Sequence, residues 1–95
     1  MVGLEILVSI QPEKRQEFLQ TIEMFRSQQD RDKARIDCII LETVGEPNQF
    51  LWVEKWNDQK LLEDHMKTRR FKALLGAIQV LGELNSLHIS VLKPL

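Results

Sequence analysis

The chain predicts an α+β fold of the split βαβ, ferredoxin-like kind: a four-stranded antiparallel sheet with its helices on one face. Three observations predict it. Apolar residues alternate with period two near both ends of the chain and in a closely spaced pair between them. Apolar residues recur at helical spacing in the two stretches that separate these runs. The resulting order is strand, helix, strand, strand, helix pair, strand. At 95 residues there is room for a single domain, 1–95, with one modest core.

Residues 2–10 alternate Val2, Leu4, Ile6, Val8 and Ile10 against Gly3, Glu5, Leu7 and Ser9, which predicts a strand. Pro12 ends that ladder but suits a first helical turn, where a missing N–H costs nothing. Phe18, Leu19, Ile22 and Phe25 then predict a helix over 12–29. The mixed-charge stretch RSQQDRDKAR reads as a solvated helix end and loop. Strands are predicted over 36–44 (IDCIILETV) and 50–56 (FLWVEKW), joined as a hairpin by GEPN. Asn57 or Asp58 can cap the next helix, which turns Leu61, Leu62 and His65 to one face. Thr68 can cap again ahead of Phe71, Leu74, Leu75, Ile78 and Leu81, and Gly82 is placed to end that helix in a left-handed conformation. LNSLHISVL, 84–92, alternates once more and supplies the last strand.

In this arrangement one sheet face carries helices and the other is bare. Leu7, Leu92, His88, Ser90 and one of the two alternating sets of the hairpin strands belong to the bare face. Both sets are largely apolar, so an apolar face is exposed whichever it is, and such a face calls for a partner. A second copy related by a two-fold axis is the simplest one, and a homodimer is expected.

Composition narrows the function classes. Forty-three per cent apolar and 28% charged residues describe a packed globular chain rather than a disordered one. A net charge of −1 gives no pull toward nucleic acid or an anionic membrane. No apolar run approaches the ~20 residues needed to span a bilayer, and MVGLEILVSI lacks the basic start of a signal peptide. A cytoplasmic setting is the expectation. Cys38, the sole cysteine, lies in the run CIIL and reads as a small buried hydrophobe. Neither a metal site nor a bound organic cofactor is expected, since no zinc tetrad, phosphate loop, nucleophile elbow or dinucleotide fingerprint occurs.

The stretch FLWVEKWNDQKLLEDHMKTRRF resembles the antibiotic biosynthesis monooxygenase family in the spacing of Glu54, Trp56, Asp58, Leu61, Leu62, His65, Thr68 and Phe71. That resemblance implies a dimeric α+β barrel. It also implies an activity drawn from cofactor-free oxidation of quinols or anthrone-like polyketides, haem degradation, or isomerisation of small phosphorylated sugars. Haem-degrading relatives carry an axial histidine where this chain has Leu75, which argues against that chemistry. The polyketide oxygenases use a pocket with a tyrosine, and this chain has none. The family also often has Pro-Gly ahead of its second strand, where KARID stands here.

His65, Glu54 and Trp56 are the candidate catalytic residues, with Trp52 and Phe71 as candidate ligand contacts. A histidine at the rim of an apolar pocket can accept a proton near neutral pH; its structural alternative is a hydrogen-bonded core residue. Glu54 shares a strand face with Trp52 and Trp56 and could orient His65, or, facing the other way, pair with a base across the dimer. The tryptophans could form a wall for a planar ring, or be plain core. The expected function is cofactor-independent oxygenation of a small aromatic, quinol or anthrone-like compound. The alternatives are a non-catalytic dimeric module that binds a small hydrophobic molecule and a sugar-phosphate isomerase.

Overall fold

A computed structural model describes residues 1–28, 35–91 and 93. Its element order is β1 (Val2–Ile10), a 3-10 turn (Pro12–Lys14), α1 (Arg15–Gln28), β2 (Arg35–Glu42), β3 (Gln49–Trp56), α2 (Gln59–Met66), α3 (Arg69–Leu81) and β4 (Gly82–Val91). The strands form one sheet in the order β2-β3-β1-β4, every neighbouring pair antiparallel. This is the α+β, ferredoxin-like arrangement that the alternation predicts. No helix among the described residues is long and apolar enough to cross a membrane.

β1 begins and ends where the alternation does. Its even-numbered residues Val2 to Ile10 are all buried, because they lie beneath the helices, while Glu5 is exposed on the opposite face. Register carries that choice across the sheet. Val2, Leu4, Ile6 and Val8 pair with Trp56, Glu54, Trp52 and Phe50, so these four residues of β3 also face the helices. The bare face of the hairpin is the other set, with Ile39, Leu41, Leu51 and Val53. His88 and Ser90 share that side through their pairing with Glu5 and Gly3. Leu92, expected there too, lies outside the described residues.

α1 buries Phe18, Ile22 and Phe25, spaced i, i+4 and i+7. Leu19 sits at the margin of that stripe and is exposed. Pro12 opens a 3-10 turn rather than the α-helix itself, which starts at Arg15. α2 buries Leu62 and His65, and leaves Leu61 exposed. α3 buries Phe71, Leu74, Ile78 and Leu81. Fully burying one such leucine or phenylalanine contributes about 1.5–3 kcal/mol.

Gly82 does not adopt the left-handed conformation. Its φ is 177°, extended backbone, and it is already the first residue of β4. A glycine is needed there for another reason: a Cβ would lie 2.1 Å from the Ser9 carbonyl oxygen. In the hairpin turn, Gly45 (φ 83°) and Asn48 (φ 67°) take the positive φ values, and Asn is among the few side chains that tolerate them.

Candidate active site

The site is built first from β3. Side chains two residues apart share a strand face, so Trp52, Glu54 and Trp56 line up under the helices. Glu54 is completely buried and needs partners there. The two indoles supply them: Trp52 Nε1–H donates to Oε2 and Trp56 Nε1–H donates to Oε1, each at 2.8 Å. One carboxylate thus pins two aromatic rings along the strand.

β2 adds a cation that the sequence reading placed in a solvated loop. Arg35 is the first residue of β2, pairs with Trp56, and keeps only 8% of its side chain exposed. Its Nη1 lies 4.0 Å from Glu54 Oε2. A register shift between Arg35 and Asp37 brings it onto this face, and simple alternation would not reveal such a shift. Cys38, the register partner of Glu54, is buried beside them as expected. Burial pushes its thiol pKa up, and the nearby Arg35 offsets only part of that. A thiol so placed stays protonated and is a poor nucleophile.

α2 supplies the imidazole. Asp58, the N-cap, accepts from the Lys60 and Leu61 backbone N–H groups and sets where the helix begins. From that start, Leu62 and His65, three residues apart, both turn inward. The His65 ring is tilted 40° to that of Trp56 with centroids 4.8 Å apart. On another side the Phe71 ring meets it edge-on at 5.5 Å. Thr68 joins these two neighbours. Its hydroxyl donates to the His65 carbonyl at 2.7 Å and accepts the Phe71 N–H at 3.2 Å, so one side chain caps α3 and ties it to α2.

The five candidate residues therefore meet on the helix side of the sheet: an imidazole against an indole, that indole on a carboxylate, a second indole on the same carboxylate, and a phenyl edge. The open question about Glu54 is resolved in favour of the helix side, so it does not face the bare surface. Both of its oxygens are engaged by indoles. Arg35 completes the cluster and was the residue that sequence reasoning missed. Its type and position just before a strand carry no signal that separates it from a solvated arginine. Among the described residues, no group of three or more His, Cys, Asp or Glu side chains could hold a metal ion. Chemically, the cluster offers one imidazole, flanked by the flat faces and edges of aromatic rings and largely shielded from bulk water.

The chain is similar to several known proteins. The family model for antibiotic biosynthesis monooxygenases matches residues 1–76. "Putative monooxygenase YcnE" of Bacillus subtilis (strain 168) is 29% identical over 76 residues, 80% of each chain. A crystal structure of an antibiotic biosynthesis monooxygenase superposes with a TM-score of 0.81 at 17% identity, covering 100% of this chain and 99% of that one. A conserved protein from Methanosarcina mazei Go1 superposes with a TM-score of 0.80 at 19% identity, covering 94% and 87%. At these identities the superpositions speak to the fold alone.

Proposed function

The chain belongs to the antibiotic biosynthesis monooxygenase family, and from that premise we propose that it is a cofactor-independent monooxygenase of a small aromatic, quinol or anthrone-like compound. The observation that carries the reading is the buried His65 ring lying 4.8 Å from Trp56, whose own N–H is tied to Glu54.

His65 takes a proton from the hydroxyl or activated methylene of the substrate, leaving an electron-rich anion. That anion passes one electron to molecular oxygen. The substrate radical and superoxide then join through a new carbon–oxygen bond to give a peroxide. For a methylene, the peroxide anion takes the proton back from the His65 imidazolium. Loss of water from the hydroperoxide then leaves a carbonyl, with one oxygen atom in the product and the other in the water. Glu54 holds both indoles in place, and Trp56 and Phe71 border the ring that receives the proton. Exclusion of water strengthens the interaction of the anion with the protonated imidazole.

The bare sheet face, with Leu7, Ile39, Leu41, Leu51 and Val53, is taken up in this reading by a second copy of the chain, giving a homodimer. Ile39 and Leu41 are 42% and 50% exposed in the single chain, which supports such a role.

Oxygen uptake with reduced naphthoquinones and anthrones, with a chelator present and no flavin added, tests the activity. Turnover is expected, and His65→Ala is expected to reduce it by about a hundredfold or more. Uptake that is absent, or unchanged in the variant, would rule the mechanism out. A second reading has an observation of its own. His65 is packed between Trp56 and Phe71, as a structural histidine would be, and this favours a non-catalytic module binding a small apolar molecule. Under that reading aromatic ligands quench tryptophan fluorescence without consuming oxygen.

A further inference from the structure

The bulge at the start of β2 changes which way Arg35 points. Counting back from Cys38 on the helix side, strict alternation would turn Asp37 outward, Ile36 inward and Arg35 outward. Instead Asp37 pairs with Lys55 and Arg35 with Trp56, so Ile36 is the extra residue and is 48% exposed. Arg35 consequently lies on the helix side, nine-tenths buried. Bulges next to functional sites commonly serve to re-aim a side chain in this way. Taking a guanidinium out of water is costly, and an apolar residue of similar volume would often give an equally stable core. The cation is therefore better understood through what it faces than as a source of stability.

It faces Glu54. The carboxylate is fully buried, accepts one hydrogen bond from each indole of the chain, and has the Arg35 Nη1 4.0 Å from Oε2. The Trp56 ring, fixed through Oε1, is the surface on which His65 lies. We propose that Arg35 is a positioning residue of this site: it holds the Glu54 carboxylate between the two indoles and, through Trp56, sets the plane against which the His65 imidazole rests. The proposal rests on taking this cluster as the active site, but its primary readout does not require activity.

The chain has two tryptophans and no tyrosine, so two indole N–H resonances report on the network directly. Hydrogen–deuterium exchange at these groups, measured by NMR on the full chain, is the experiment. In Arg35→Met, exchange of the indole N–H groups is expected to accelerate at least about fivefold, within the range of coupling inside one hydrogen-bonded network. The His65 ring protons are expected to shift as the Trp56 ring current moves. In a Glu54→Gln background the same substitution is expected to change exchange by less than about twofold, because Arg35 acts through Glu54. A folded Arg35→Met protein with indole exchange and His65 shifts unchanged would overturn the proposal, and so would equal effects in both backgrounds. Should Arg35→Met not fold, Arg35→Lys carries the test, since its point charge lacks the planar fork of arginine. Altered exchange confined to the Glu54 background supports the role, and indifference to the background overturns it. Oxygen uptake by the same variants separates the two readings. Indole effects without uptake in any variant sink the monooxygenase and keep the positioning role; uptake that needs His65 alongside indoles indifferent to Arg35 does the reverse.

Discussion

Glu54 and Trp56, two residues apart on β3, both face the helices, and the Trp56 indole donates to Glu54 Oε1 at 2.8 Å. The other oxygen takes the Trp52 indole at the same distance. Replacing Glu54 by leucine would leave two buried donors and the Arg35 guanidinium facing an apolar side chain. Glu54→Leu is expected to lower the unfolding free energy by about 3–5 kcal/mol, the cost of removing one partner from a buried charged pair. Glu54→Gln, which keeps a carbonyl acceptor but leaves one indole short, is expected to cost about 1–3 kcal/mol. Urea denaturation measures both. A leucine variant as stable as the parent would show that the carboxylate holds nothing together.

Gly82 provides a second test, of packing rather than polarity. A Cβ there would stand 2.1 Å from the Ser9 carbonyl oxygen and 2.8 Å from the Ile10 Cα, and neither is a side chain that can turn aside. The start of β4 and the end of β1 would have to separate. Gly82→Ala is expected to lose about 1–3 kcal/mol, the usual range for overpacking, whereas Gly76→Ala on α3, with nothing within 4 Å, should be neutral or stabilising by up to about 1 kcal/mol. Thermal unfolding of the two variants side by side would expose the difference, and equal midpoints would contradict the close approach.

These two positions also show where sequence reasoning stops. Alternation located both ends of β1 and put Trp52, Glu54 and Trp56 on a common face, because period two is a local property of the chain. Asp58 and Thr68 were legible as caps for the same reason, since each bonds to N–H groups within three residues of itself. Which face Glu54 occupied was not legible. Leu51 and Val53 on one side are as apolar as Phe50 and Trp52 on the other, and only the pairing with Leu4 decides it. Arg35 reads in the sequence as the end of a solvated loop. It is instead the first residue of β2, and the extra residue Ile36 that turns it to the helix side leaves no alternation to read. Gly82 was anticipated as a helix stop, yet the constraint on it comes from Ser9, 73 residues earlier in the chain. Contacts distant in sequence leave no periodic trace.

The exposed edge of the fold carries an ion-pair network of its own. Arg15, at the start of α1, donates from Nη2 to Glu42 Oε1 at 2.8 Å and from Nη1 to Asn48 Oδ1 at 3.0 Å, while the Asn48 N–H donates to Glu42 Oε2 at 3.0 Å. Together these bonds, Arg15 foremost, hold the Glu42 pKa down to about 2 from an ordinary 4.5. A carboxylate depressed in the folded state contributes stability that is present above 4.5 and is lost as pH falls from there toward 2. Glu42→Gln is therefore expected to flatten the acid limb of the melting-temperature profile within that window and to leave it unchanged at neutral pH in slope. The site is solvent-exposed, so added salt should shrink the difference. Parallel acid limbs for the two proteins would remove Glu42 from the account of acid sensitivity.

The bare sheet face carries the last prediction. Leu7 pairs with Leu51, Leu51 with Leu41, and Val53 with Ile39, so three strands bring their apolar side chains into one continuous patch. Leu51 lies on β3, between β1 and β2, near the middle of that patch. In the proposed two-fold dimer a residue at the centre of the interface approaches the same region of the other copy. Leu51→Glu would bury two like charges with no cation provided for them, which is costly on desolvation alone. The helix-side core does not touch this side chain, so the fold itself should survive. Light scattering coupled to size-exclusion chromatography is expected to give twice the chain mass for the parent and the single-chain mass for Leu51→Glu, with the same far-ultraviolet circular dichroism. A parent that elutes at 11.2 kDa at every concentration tested would mean that something other than a second copy covers this face.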